Sequence, residues 1–303
     1  MNEPEDSPRC GFVAVIGAPN AGKSTLVNQL VGAKVSIVTH KVQTTRTRVR
    51  GIAVKGNSQI VFIDTPGIFT AKRRLERAMV QAAWAGVEDA DVVLVIHDAS
   101  RTKISDDTRR VIEGLAEARC ELVLVLNKVD LIKREKLLEL SAELSALGNF
   151  SQVFMISALN GDGLDDLTDY LADRMPEGPW HFPEDQLSDI SLRLLAAEIT
   201  REKLFLNLHQ ELPYALTVET ESWEDFKDGS ARVEQIIYVG KAQHKGMCLG
   251  KGGSTIRAVR QAAQKEMAEA LGQKVHLFLF VKVRENWIND PERYRNLGLE
   301  FDA

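Results

Sequence analysis

Phe12-Val13-Ala14-Val15-Ile16-Gly17-Ala18-Pro19-Asn20-Ala21-Gly22-Lys23-Ser24-Thr25-Leu26 is the stretch that decides the fold. A near-continuous apolar run passes into a glycine-flanked turn, and the turn passes into helical spacing at Leu26, Val27 and Leu30. In that strand-turn-helix setting, G-x-x-x-x-G-K-[ST] is a phosphate cradle. Its glycines let backbone N–H groups converge on a triphosphate, Lys23 reaches the β- and γ-phosphates, and the Ser24 hydroxyl ligates Mg²⁺. The helix N-terminus adds the positive end of its dipole. Every residue from Gly17 to Thr25 is therefore a candidate nucleotide contact.

Outward from this turn, between Gly11 and about Arg174, short Val-, Ile- and Leu-rich runs alternate with helical periodicity. Strands are expected over 12–16, 51–54, 59–63, 91–97, 121–126 and 152–156, with Gly56-Asn57-Ser58 turning the one hairpin. Helices are expected over 22–31, 75–88, 106–118, 134–147 and 164–173. The expected fold class is a doubly wound, mostly parallel α/β sheet, which binds ligands at the carboxyl ends of its strands.

Three further signatures fall at strand ends. Asp64-Thr65-Pro66-Gly67 follows the third strand, where Asp64 can hold Mg²⁺ through water and the Gly67 N–H can meet a γ-phosphate. Asn127-Lys128-Val129-Asp130 follows the fifth, and the Asp130 carboxylate can accept from guanine N1–H and the 2-amino group, two donors that adenine lacks. Ser157-Ala158 follows the sixth, with backbone N–H groups for guanine O6. The acid-free stretch from Thr39 to Arg50 contains Gln43-Thr44-Thr45-Arg46, the expected first switch. A threonine hydroxyl there completes the Mg²⁺ shell when the γ-phosphate is present, and Thr45 is preferred to Thr44.

A chain of 303 residues, 44% apolar and 27% charged, has room for about two globular domains. Its apolar runs all fall short of the ~18–20 residues that span a bilayer. The acidic start Met1 to Pro8 lacks the pattern of a signal peptide, and Cys10, Cys120 and Cys248 form no C-x-x-C pair, so a reducing cytoplasm without a zinc site is expected. The expected organisation is a disordered tail at 1–10, the α/β domain at 11–175, a Pro-rich linker at 176–187, a smaller α+β domain at 188–290 and a C-terminal tail at 291–303.

The net charge of −5 hides a split in that smaller domain. Twelve acids face five bases between Glu184 and Glu234, whereas nine bases face two acids between Lys241 and Arg284. The second segment is a candidate polyanion-binding face. A helix over 188–207, strands over 214–221 and 232–241, a helix over 254–271 and a strand over 274–283 give the order α-β-β-α-β, with Gly250-Lys251-Gly252-Gly253 opening the second helix.

The motifs Gly17 to Ser24, Gln43 to Thr47, Asp64 to Gly67, Asn127 to Asp130 and Ser157 to Leu159 together resemble those of the Era family of bacterial GTPases, in the TrmE-Era-EngA group. Pro-Glu-Gly-Pro-Trp at 176–180 and Lys282-Val283-Arg284-Glu285-Asn286-Trp287 extend the resemblance over nearly the whole chain. It implies a P-loop GTPase domain followed by a type II KH domain, whose Gly250-x-x-Gly253 loop clamps a single-stranded RNA backbone. The RNA contacts expected from it are Lys245, Gly250, Lys251, Gly252, Gly253, Arg257 and Arg260. It further implies a monomeric GTP/GDP switch that binds 16S rRNA near its 3′ end, acts in 30S subunit assembly, and is cytoplasmic with peripheral association at the inner membrane. The alternative is a membrane-associated signalling GTPase whose basic segment binds anionic lipid. Val42 departs from the usual Pro of the family, and Arg260 and Gln264 from a Gly and an Arg often seen there.

The groups expected to act in hydrolysis are Lys23, Thr45, Gly67 and Asn20. Ile68 stands where Ras-like proteins carry the Gln that orients water, so slow turnover is expected. The resemblance suggests a source of added charge, because Asn20 matches a position that in some relatives helps to hold K⁺. His97 and Asp98, at the end of the fourth strand, read as structural or loop-positioning.

Overall fold

The computed structural model describes residues 7–39, 41, 44–101, 103–208 and 212–302. They form two compact units, one gathering the residues up to Ser36, Thr45–Asp189 and those from Leu297, the other Ile37–Thr44 and Ile190–Asn296.

The first unit is built on β1 (Arg9–Gly17), β2 (Val49–Lys55), β3 (Ser58–Asp64), β4 (Val92–Asp98), β5 (Glu121–Asn127) and β6 (Gln152–Ile156). Their order in the sheet is β2-β3-β1-β4-β5-β6. Only the β2–β3 hairpin is antiparallel, turned at Gly56 with φ 60°. β3 and β4 are buried at every residue, as strands covered on both faces must be. The helices α1 (Lys23–Val31), α2 (Arg74–Glu88), α3 (Asp106–Gly114), α4 (Arg134–Ser145) and α5 (Leu164–Arg174) supply the cover. Ile16, Val93, Val95, Leu124, Val111 and Leu140 join in one core. The strand order reverses at β1, so its carboxyl end is the topological switch point where such folds bind ligands.

The second unit runs α6 (Leu192–Asn207), β7 (Leu216–Asp225), β8 (Ala231–Val239), α7 (Ala242–Leu249), α8 (Ser254–Leu271), β9 (Val275–Val283) and α9 (Pro291–Asn296). β7 and β8 pair antiparallel, β8 and β9 parallel. Leu204, Val218, Ile237 and Val259 form one core cluster, and Leu195, Val233, Met267 and Leu277 another.

The structure corrects several expectations. The order in the second unit is α-β-β-α-α-β-α, and α7 departs from the expected order because it is not legible: Gly246 interrupts it and only Cys248 is buried, so no apolar stripe marks it. α3 ends at Gly114, four residues before the expected Ala118. Of the tail expected at 1–10, residues 1–6 lie outside the described residues, while Arg9 and Cys10 already pair with Ser58 and Gln59 in the sheet.

The expected linker is laid along the first unit. Cys10 N donates to Pro176 O at 3.0 Å, Trp180 Nε1 to Asn57 O at 3.0 Å, His181 N and Phe182 N to Gln59 Oε1 at 3.0 Å, and Ile52 N to Leu187 O at 2.9 Å. Its prolines prevent regular structure, and these bonds to the first unit take the place of a regular ladder. The segment expected as a C-terminal tail is also ordered. α9 buries Tyr294, whose hydroxyl donates to Ile288 O at 3.0 Å, and in the first unit Leu299 is buried and Phe301 lies under the Arg74 guanidinium at 4.4 Å.

Candidate functional site

Two glycines of the turn after β1 are demanded by close approach. A Cβ on Gly17 (φ 154°) would lie 2.3 Å from the Ile96 carbonyl oxygen, and one on Gly22 (φ 100°) would lie 2.1 Å from Asn127 Nδ2. Gly22 caps α1 without a side chain, which leaves the first N–H groups of the helix, at Lys23, Ser24 and Thr25, facing the turn. Lys23 is buried, and its Nζ donates to the carbonyls of Gly17 at 3.2 Å and Ala18 at 3.1 Å. Burial lowers its pKa to about 8, with the Asp64 charge opposing. Gly67 packs on the turn, since a Cβ there would come 3.0 Å from Pro19 Cα. Between Asp64 and Gly67, Pro66 is buried and Thr65 Oγ1 donates to Val15 O at 2.9 Å. Ile68 N donates to Gly17 O at 3.1 Å, and the Ile68 side chain is fully buried in the core under the sheet.

Hydroxyls converge on Asp64. Ser24 Oγ donates to Asp64 Oδ2 at 2.7 Å, and Thr45 Oγ1 lies 2.8 Å from Ser24 Oγ and 3.2 Å from Asp64 Oδ2. Burial raises the Asp64 pKa, against the Ser24 hydroxyl, the Lys23 charge and the Ser36 and Thr45 hydroxyls. Asp64 Oδ1 is buried with no partner among the described residues. A dry carboxylate with one oxygen unsatisfied, beside two hydroxyl oxygens, is a hard-donor set that fits Mg²⁺. Thr44 is engaged elsewhere: its Oγ1 lies 2.9 Å from Thr39 Oγ1 and donates to Lys41 O at 2.8 Å. Gln43 of the expected switch lies outside the described residues.

The guanine-type motif is fastened to the same turn. Asn127 Nδ2 donates to Ala21 O at 2.9 Å, while Asn127 Oδ1 accepts from Lys128 N at 2.8 Å and Ala158 N at 2.9 Å. Lys128 takes a positive φ of 66°, and its Nζ donates to Asn20 O at 2.8 Å and Asp98 Oδ2 at 2.6 Å. Asn20 has a positive φ of 64°. Burial would raise the Asp98 carboxyl, but the Lys128 ammonium and the Ser100 hydroxyl outweigh it and hold the pKa below the usual range. Asp130 is exposed in the short turn Val129–Leu131.

The Ser157-Ala158 amides expected to meet guanine O6 are bonded within the protein. Ser157 N donates to Asp162 O at 3.1 Å and Ala158 N to Asn127, so this pair fixes the motif from within and does not present two free donors. Asp98, expected to be structural or loop-positioning, holds Lys128, a partner thirty residues on that no local pattern marks. His97 is buried, with Nδ1 3.3 Å from Thr108 Oγ1.

In the second unit, Gly250, Gly252 and Gly253 take φ of 73°, 59° and 78° between α7 and α8. A Cβ on Gly250 would lie 2.2 Å from Thr255 Oγ1, whereas Cβ atoms on Gly252 and Gly253 would meet open space, so that part of the loop is free to approach a partner's backbone. Lys245, Lys251 and Arg257 are exposed around it. Arg260 is half-buried and donates to Gln264 Oε1 at 3.4 Å, and the same oxygen accepts from Leu277 N on β9 at 3.2 Å. The departing pair Arg260 and Gln264 thus stitches α8 to the sheet.

The sequence matches the family described as 50S ribosome-binding GTPase over residues 12–128 and the KH domain over residues 211–288. GTPase Era of Sinorhizobium medicae is 62% identical over 97% of this chain and 94% of its own length, and GTPase Era of Brucella suis is 62% identical over 97% and 94%. Among solved structures, Era in complex with MgGDPNP and nucleotides 1506–1542 of 16S ribosomal RNA is similar with a TM-score of 0.90 at 35% identity, over 96% of this chain and 99% of that one. An Aquifex aeolicus Era variant bound to GDP.AlF4- matches with a TM-score of 0.90 at 34% identity, over the same shares.

Proposed function

The chain belongs to the Era family of GTPases, and on that footing we propose that it binds and slowly hydrolyses GTP, binds 16S rRNA near its 3′ end through its KH domain, and acts in assembly of the 30S subunit. The single observation that carries the nucleotide reading is the fastening of the Asn127-Lys128 motif to the P-loop at Ala21 and Asn20, which brings a base reader and a phosphate cradle to one place. The relative seen with 16S ribosomal RNA supports the small subunit as target, although the broader family takes its description from the large one. The relative bound to MgGDPNP and the donor set at Asp64 support Mg²⁺.

In this reading the P-loop amides and Lys23 hold the phosphates, Asp130 reads guanine, and Ser24, Thr45 and Asp64 hold the ion, with the Gly67 amide beside the γ-phosphate. Mg²⁺ held by Ser24, Thr45 and Asp64 would neutralise the charge that develops on the phosphates. Ile68 is buried and carries no group that could orient water, so turnover is slow, and K⁺ beside Asn20 would supply further charge. Gly252 and Gly253 favour RNA over anionic lipid at the basic segment, because lipid headgroups require charge alone. Competition tests the nucleotide reading: GTP and GDP displace a fluorescent GDP analogue while ATP does not, and Asp130→Ala abolishes the discrimination. Equal displacement by ATP from the unmodified chain would contradict it.

A further inference from the structure

Ser36 stands outside every motif described above, yet it is buried close to the same carboxylate. It is 4% exposed, and its Oγ has no hydrogen-bond partner among the described residues. It lies close enough to Asp64 to join Ser24, Lys23 and Thr45 in opposing the rise in pKa that burial imposes there. Asp64 Oδ1 is the other buried and unpartnered oxygen of this site. Two such atoms at one carboxylate are an exception to the rule that buried polar groups are paired, and a bound group that satisfies both explains it.

The backbone at Ser36 is fixed by a single side chain. Asn28, on α1, accepts through Oδ1 from Val35 N and Ser36 N, both at 2.9 Å, and donates through Nδ2 to Ser36 O at 2.7 Å. Val35 is buried, and Gly32 ends the helix with φ 74°. The loop after α1 is therefore closed onto α1 itself, which fixes the backbone that carries the Ser36 hydroxyl. A loop hydroxyl that faced solvent would need no such clamp.

We propose that Ser36 belongs to the magnesium site, where its hydroxyl positions the Asp64 carboxylate and the water shell of the ion, and that Asn28 is the positioning residue that keeps it there. The proposal rests on the magnesium reading above. A partner in the outer shell of a metal site sets about 10- to 100-fold of metal affinity. The effect of Ser36 is therefore read on Mg²⁺ and not on the nucleotide itself.

The test follows release of a fluorescent GDP analogue from the full chain across Mg²⁺ concentrations and in EDTA. For Ser36→Ala, the Mg²⁺ concentration that half-maximally slows release rises about tenfold, while the rate in EDTA stays within about twofold of the unmodified chain. Ser36→Thr restores the midpoint. Asn28→Ala shifts it as Ser36→Ala does, and the double variant shifts it no further, as two residues acting through one contact require. A Ser36→Ala midpoint unchanged within about twofold, or an equal acceleration in EDTA, overturns the proposal, and this variant decides alone if Asn28→Ala fails to fold. If release from the unmodified chain does not respond to Mg²⁺, the magnesium reading falls and the proposal with it; a normal response with no Ser36 effect removes the proposal only.

Discussion

The Lys128 ammonium lies 2.6 Å from Asp98 Oδ2 while donating to the Asn20 carbonyl at 2.8 Å. One lysine thus ties the end of β5 to the end of β4 and to the P-loop, three segments far apart in sequence. Asp98 is buried while the Lys128 side chain is 31% exposed, so the bond is partly shielded from water. A hydrogen bond to a charged group contributes about 1.5–3 kcal/mol, so Asp98→Ala should weaken GDP binding about 10- to 100-fold. Calorimetric titration measures it, and unchanged affinity would show that Lys128 needs no anchor.

Ile68 is fully buried with Ile16, Ala83 and Val93. Ile68→Gln places an amide in that core without bringing it to the phosphates. The expected result is destabilisation by about 2–4 kcal/mol with no gain in single-turnover hydrolysis. Faster hydrolysis by a stably folded Ile68→Gln chain would mean that the side chain can reach a nucleophilic water after all.

The G motifs were legible because each is contiguous and each residue type has one chemical use there: Lys23 for phosphate, Asp64 for an ion, Asp130 for guanine. Strands such as β4 were legible because burial on both faces leaves an unbroken apolar run. What escaped is what depends on distance or on a missing pattern. The loop-positioning part of Asp98 was legible but its lysine partner was not, since the two meet only when β4 and β5 pair, and Asn28 and Ser36 meet only because the loop folds back on α1. α7 carries a glycine and no stripe, and the 176–187 segment reads as a free linker until its partners on β2 and β3 are seen.

His97 gives the unit a pH dependence of known sign. Burial lowers its pKa, so below about pH 6.5 the unfolded chain takes up a proton that folded His97 refuses. Stability therefore falls as pH drops through 6.5 towards the lower folded value, with a slope of up to about 1.4 kcal/mol per pH unit from this group. His97→Gln should flatten the denaturant midpoint between about pH 7 and pH 5.5 by that one proton. Parallel profiles for the two chains would show that folded His97 binds the proton as readily as the unfolded chain.

Asn20, at φ 64° in the P-loop, gives the K⁺ reading its test. Hydrolysis should be faster in K⁺ than in Na⁺ by at least about tenfold, the rate equivalent of one charge-assisted contact, and Asn20→Ala should lose the difference. Equal rates in both salts, in the unmodified chain and in Asn20→Ala, would remove K⁺ from the mechanism.

In the proposed function a guanine-nucleotide switch reads ribosomal RNA through the glycine loop between α7 and α8. Its most direct test is binding of an RNA fragment from the 3′ end of 16S rRNA to the full chain, loaded with a GTP analogue or with GDP, and to Gly252→Asp and Gly253→Asp. Both positions face open space at positive φ, so an added carboxylate meets the RNA backbone before it meets the protein. Binding should be tighter in the GTP-analogue state and at least about tenfold weaker in either variant, with nucleotide affinity unchanged. Undiminished RNA binding by both variants would contradict it.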